Sequence, residues 1–207
     1  MVYYLHENTV GVASMYKLCK TEQSAQRQRT LELGLLSAME KSDYDQISVS
    51  DLCDQLEVPR KSFYRYFDSK DGALQALLDH TLMEYEVYTG HIISSSRVRT
   101  AHSEMESFFQ FWEQKKGLLD ALQRSNLSNA LIERALRYAR SSGTIPRRFL
   151  SEDNQDNQHY LATFTVYGIM ALVLEWHQAG YPQSASHMAT LAVRLVSGPL
   201  FTNLNLL

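Results

Sequence analysis

Arg60, Lys61, Ser62, Tyr64, Arg65 and Lys70 fall within eleven residues of the segment SVSDLCDQLEVPRKSFYRYFDSKDGALQALL, positions 48–78. Ammonium and guanidinium groups neutralise phosphate, and arginine also reads guanine through paired hydrogen bonds, so the cluster has the chemistry of nucleic-acid recognition. Using it requires two short helices and a tight turn. The first should open at Ser48, whose hydroxyl can cap free N–H groups with Asp51 three residues on, and end near Leu56. The second should cover Arg60 to Phe67, because Pro59 has a helical φ and its missing N–H would be unpaired there anyway. Val49, Leu52, Leu56 and Val58 supply a small core. Phe63 and Phe67, four apart, share the inward face, which Tyr64 and Tyr66 cannot share. A DNA-reading helix-turn-helix has these parts.

Around this segment the chain reads as all-α. Only 4 Pro and 9 Gly punctuate 207 residues and no alternating strand pattern stands out, so roughly nine helices are expected. A first helix runs from Glu22 to Lys41 with Leu31, Leu35, Ala38 and Met39 on one face, and Ser42 to Asp45 ends it. A long helix starts at Lys70 after the Asp68-Ser69 cap and carries Leu74, Leu77, Leu78, Leu82 and Tyr85 on one side. Three more helices follow in AHSEMESFFQFWEQKK, GLLDALQRSN and SNALIERALRYARSSG, each closed by Gly, Asn or Ser signals. After a polar linker, Ser151 to Asn157, two helices cover about 158–179 and 184–197, parted by Gly180-Tyr181-Pro182.

Composition excludes several classes. The formal charge of −3 and pI of about 6.2 rule out coating of nucleic acid through bulk positive charge. Neither side of Lys70 is basic: residues 1–70 hold 9 basic and 10 acidic groups, residues 71–207 hold 11 and 13. Cys19 and Cys53 stand apart from any CxxC or Cys/His cluster, which points to reduced thiols and a cytoplasmic protein. The first twenty residues lack the pattern of a secretory signal and read as a loose arm. The run from Asn157 to Leu174 carries no formal charge, yet it is too short and interrupted to span a bilayer, so a helix buried on several sides is expected and no membrane partner. His80 and Glu84 share a helix face without a third ligand, so no metal is expected, and no cofactor either. The absence of GxSxG, P-loop and GxGxxG motifs argues against an enzyme.

The segment FYRYFDSKDGAL, with the helix-turn-helix pattern before it, resembles the TetR/AcrR family of transcriptional regulators over about residues 24–80. The resemblance implies an arm (1–21), a three-helix DNA-binding domain (22–69) and a larger helical domain (70–207) that binds an effector and dimerises. Tyr64 matches the family's recognition-helix tyrosine and Lys70 its fourth-helix lysine, both phosphate contacts. Ser48 and Ser50 open the second helix, where hydroxyls and free N–H groups also hold phosphate. Arg60, Lys61 and Ser62 occupy the turn that enters the major groove, and Arg65 serves base or backbone. Three positions depart from the pattern: Glu57 replaces a turn glycine, Pro59 a capping serine, and Lys61 a residue that is frequently glycine.

The same resemblance implies a homodimer on double-stranded DNA with inverted repeats, its two reading helices about 34 Å apart. Pairing of the last two helices with their copies would explain the uncharged run. Phe108, Trp112, Tyr138, Phe164, Tyr167 and Trp176 are candidates to line a pocket for a small-molecule or protein effector. The expected function is a transcriptional regulator of the repressor type. The alternative, favoured by Glu57, is a helical module acting through protein contacts with weak or lost DNA binding.

Overall fold

The computed structural model describes residues 15–95, 100–142 and 158–196. Among them there are nine α-helices and no strand: α1 Glu22–Met39, α2 Val49–Gln55, α3 Arg60–Tyr64, α4 Lys70–Ser95, α5 Ala101–Glu113, α6 Lys116–Arg124, α7 Ser128–Ser142, α8 Gln158–Gln178 and α9 Ala185–Val196. A single 3-10 turn, Tyr44–Gln46, joins α1 to α2. The linker expected at Ser151 to Asn157 and most of the expected arm lie outside the described residues. By packing the described residues form two units, those within 1–83 with those of 117–141, and those within 84–116 with those of 142–207. The sequence partition at 69/70 differs from this, because α7 and nearly all of α6 pack with the helix-turn-helix.

The first unit is built around Leu31, Leu35, Met39, Leu52, Phe63, Phe67, Leu77 and Leu78, all buried. Gly34 lets α2 approach α1, since a Cβ there would lie 2.4 Å from Leu56 Cδ1. Directional polar contacts then tie distant segments together. Arg124 Nη1 donates to the carbonyls of Met39 at 2.9 Å and Glu40 at 2.7 Å, satisfying groups that the end of α1 leaves open. The Tyr44 N–H donates to Ser125 Oγ at 3.1 Å, and the Tyr44 hydroxyl donates to Asp71 at 2.6 Å. The fully buried Glu32 carboxylate accepts from Arg29 at 2.9 Å and faces His80 Nδ1 at 2.8 Å. His80 is therefore committed to a carboxylate other than Glu84, and the described residues hold no metal-binding cluster.

In the second unit α5 packs along α9. Thr100 opens α5 with a reciprocal capping box to Ser103, and His102 Nε2 meets Ser186 O at 3.2 Å and Thr190 Oγ1 at 3.1 Å. Lys115 Nζ donates to Glu84 Oε2 at 2.6 Å, and a stack of rings fills the unit: Tyr85 against Phe108 and Phe111, Phe109 against Trp176, and Trp176 against Tyr181, with centroids 4.7–5.6 Å apart. No helix among the described residues is long and apolar enough to cross a membrane. Helix α8, whose one acidic residue is Glu175 near its end, buries Ala162, Met170, Val173 and Trp176 on one side and leaves Tyr160, Phe164 and Tyr167 exposed on another.

Candidate nucleic-acid interface

The helix-turn-helix forms where its caps dictate. Ser48 Oγ accepts from the Asp51 N–H at 3.1 Å and donates to the Asp51 carboxylate at 2.6 Å. At the other end of α2 the chain reverses through Glu57, whose φ of 53° lies in the left-handed region. The Val58 N–H reaches Cys53 O at 2.9 Å and the Glu57 N–H reaches Asp54 O at 3.2 Å, the double closure that glycine usually provides. The turn thus keeps its shape although glutamate stands where the resemblance implies glycine, at a conformational cost of about 1–2 kcal/mol. Pro59 stands at the N-cap of α3 without a side-chain cap, as a residue lacking a hydroxyl must.

The recognition helix is shorter than its spacing implies. Regular α-geometry stops at Tyr64, and Phe67 closes back on Phe63 through one more backbone bond of 3.1 Å. Phe63 and Phe67 are fully buried with ring centroids 5.1 Å apart, as expected of the inward face. Tyr66, expected off that face, is also buried at 5% exposure, because the helical rotation of 100° per residue no longer governs it once the helix has ended.

The eight candidate DNA contacts divide into two groups. Lys61, Tyr64 and Arg65 are exposed, with Tyr64 standing edge-on to Phe63, and Ser62 beside them is half-buried. The other four are engaged within the protein. Arg60 donates to Ser50 Oγ, which leaves both residues at the surface but mutually oriented. Ser48 serves its own cap. Lys70 Nζ donates to the carbonyls of Tyr44 at 2.6 Å and Ile47 at 2.8 Å and lies 4.1 Å from the Tyr44 ring centre. Two of its three N–H bonds therefore hold the 3-10 turn, and one is left for a phosphate. Nothing in the spacing of Lys70 announced that structural duty; the signal available was Tyr44, an aromatic residue inside an apparent loop.

The candidate effector residues separate as well. Trp112 is 1% exposed and packs on Phe108 and Phe111, and its indole N–H, although buried, has no hydrogen-bond partner among the described residues. Trp176 is equally buried, but its N–H donates to Gln183 O at 3.0 Å. Phe164 and Tyr167 are 69% and 36% exposed on α8, on a side away from the buried Met170, Val173 and Trp176. Tyr138 lies on α7, which belongs to the first unit. A shallow apolar cleft of about 300 Å³ in the second unit has the candidate Trp176 in its lining, beside residues not foreseen for it, among them Leu172, Ala179, His187, Met188 and Leu191.

Residues 36–77 match the model of bacterial regulatory proteins of the tetR family, and residues 99–198 match a transcriptional regulator C-terminal region of the same family. No curated protein matches the sequence. Among solved structures the fold is shared with a dihydroxyacetone kinase operon activator, DhaS, at 16% identity over 83% of this chain and 94% of that one, with a TM-score of 0.54. It is shared also with the fatty acid degradation regulator FadR from Bacillus halodurans, at 13% identity over 84% and 96%, with a TM-score of 0.51. Two family models that together span the helix-turn-helix and most of the helices after it identify this chain as a member of the TetR family of transcriptional regulators.

Proposed function

We propose that the chain is a homodimeric, cytoplasmic repressor whose affinity for an inverted-repeat operator is changed by an effector bound in its C-terminal helices. The observation that carries the DNA-reading half is the polarity of α3 and the residue after it. Phe63 is wholly buried, while Lys61, Tyr64 and Arg65 project outward where a groove would receive them. Lys61, with the Arg60–Ser50 pair and Ser62, reads base edges; Tyr64, Arg65, Ser48 and the free bond of Lys70 hold phosphates. Residues 22–69 act as the DNA-binding domain and residues 70–207 as the effector and dimerisation domain. Repression is the family's commoner habit.

The exposed stripe of Tyr160, Phe164 and Tyr167 on α8, continued by the cleft toward α9, supports pairing with a second copy. Phe108 and Trp112 are the residues we assign to the effector. A buried indole N–H without a partner costs about 1–3 kcal/mol, and an effector carrying an acceptor would satisfy it. Movement of the effector helices would then alter the spacing of the two reading helices, and operator and effector affinities must change reciprocally.

Selection of duplexes from a random-sequence pool by the full-length protein tests the reading. Enrichment of an inverted repeat, with binding weakened on every sequence by Tyr64→Ala, is the expected result. Failure to enrich any duplex would favour the protein-contact module to which the exposed Glu57 carboxylate is better suited.

A further inference from the structure

The segment before α1 is built into the DNA-reading unit. The Lys17 N–H donates to Tyr66 O at 2.8 Å and the Asp68 N–H donates to Met15 O at 3.0 Å, so Tyr16 and Phe67 pair as in an antiparallel ladder. This pairing grips the chain just after the recognition helix. The Tyr16 side chain is 7% exposed, and its hydroxyl donates to Asp79 Oδ2 of α4 at 2.7 Å. Asp79 is held from the other side by Arg134 of α7, through Nε to Oδ1 at 2.6 Å and Nη2 to Oδ2. Gln75 joins both ends of the assembly, with Nε2 on Met15 Sδ at 3.1 Å and its oxygen 3.4 Å from Arg134.

A second feature shows that the path was made for this segment. Gly72 lies in the first turn of α4, where alanine would favour the helix by about 1 kcal/mol. A Cβ at Gly72 would stand 2.2 Å from the Met15 carbonyl oxygen, so only glycine admits the segment there. Burial, with the Asp79 carboxylate next in effect, holds the Tyr16 phenol far above its ordinary range, and it remains a donor at any physiological pH.

We infer that Met15–Lys17 is a strap that fixes the recognition helix for operator binding, with Tyr16 as the positioning residue and the Asp79–Arg134 pair as its anchor on α7. The inference rests on the DNA-reading function proposed above. Tyr16 is buried and touches no phosphate, so it acts through the orientation of the segment after α3. The strap also connects α7 to that segment through one carboxylate, 63 residues from Tyr16 in sequence.

Tyr16→Phe keeps the ring and the backbone pairing and deletes one hydrogen bond to a charged group; Gly72→Ala pushes the strap from its path. Both full-length variants are compared with the wild type on the duplex selected by the wild type and on a random duplex, with folding followed by circular dichroism. Affinity for the selected duplex should fall about tenfold in Tyr16→Phe, with random-duplex affinity and salt dependence retained. Combining Tyr16→Phe with Arg134→Gln should lose less than the sum of the two, because both act on Asp79. Leu18→Ala, an exposed neighbour, should match the wild type. Equal affinity of wild type and Tyr16→Phe, or parallel losses on both duplexes, would overturn the strap alone. A wild type that selects no duplex would overturn the DNA-reading function and the strap with it.

Discussion

The two units of this chain are stabilised by different chemistry. The first is cross-linked by directional polar contacts between segments far apart in sequence: Glu32 with His80, Tyr44 with Asp71, Lys70 with the 3-10 turn, and Tyr16 and Arg134 on Asp79. The second is built largely on aromatic rings, to which His102 against α9 and the Lys115–Glu84 ion pair at 2.6 Å add polar contacts. Hydrogen bonds and ion pairs define an orientation, whereas edge-on rings tolerate small displacements at little cost. A helix that must enter a groove in one register suits the first kind of construction, and the effector domain proposed above would suit the second.

Substitutions can break this comparison, and the largest effects are expected where a buried partner is removed. Asp79→Ala strands the half-buried Arg134 guanidinium and should cost about 3–5 kcal/mol in chemical denaturation. Phe109→Ala in the ring stack should cost a similar 3–5 kcal/mol through cavity formation. The two should differ in recovery: Asp79→Asn regains only part of the loss, whereas Phe109→Leu regains most of it, because apolar packing tolerates a change of shape better than an ion pair tolerates a lost charge. Equal recovery would erase the distinction.

Alkaline titration gives a second, smaller contrast. Burial, aided by neighbouring carboxylates, holds the phenols of Tyr16, Tyr44 and Tyr85 well above their ordinary range, and burial pushes the thiols of Cys19 and Cys53 up as well. In the unfolded chain these groups ionise at about 8.5–10, so above that range the unfolded state binds fewer protons and stability falls as pH rises. Melting temperature should be flat between about pH 7 and 8 and decline steadily above about 9. Tyr16→Phe should make that decline shallower, and an unchanged slope would remove Tyr16 from the account. The smallest effect expected is a gain: Glu57→Gly relieves the left-handed backbone and should stabilise the chain by about 1 kcal/mol in denaturant melts.

Much of the architecture was legible because helices announce themselves locally. Ser48 caps α2 and Pro59 stands before α3, and the ends of α4 to α9 fall close to the Gly, Asn and Ser signals. Glu57 was visible as a departure, and its backbone nevertheless adopts the conformation glycine would take. What remained hidden depends on contacts without a period. Tyr16 looked like part of a loose arm because its partners lie 51 to 63 residues away, and Lys70 looked like a free cation because its acceptors are backbone carbonyls that no sequence pattern marks. The exposure of Phe164 and Tyr167 was hidden for a different reason: the apolar residues of α8 are spread around the helix, so hydrophobicity alone cannot separate its inner face from its outer one.

The central claim, that α3 and the residue after it carry the exposed cations that bind DNA, is tested most directly by the salt dependence of binding to the selected duplex. Wild type and the Lys61→Ala/Arg65→Ala double variant would be titrated across ionic strength. The wild type should bind with a steep inverse dependence on salt, and the variant with one shallower by about 0.9 in the log–log slope for each phosphate-bound cation removed from the dimer. Identical slopes for the two proteins would contradict the account.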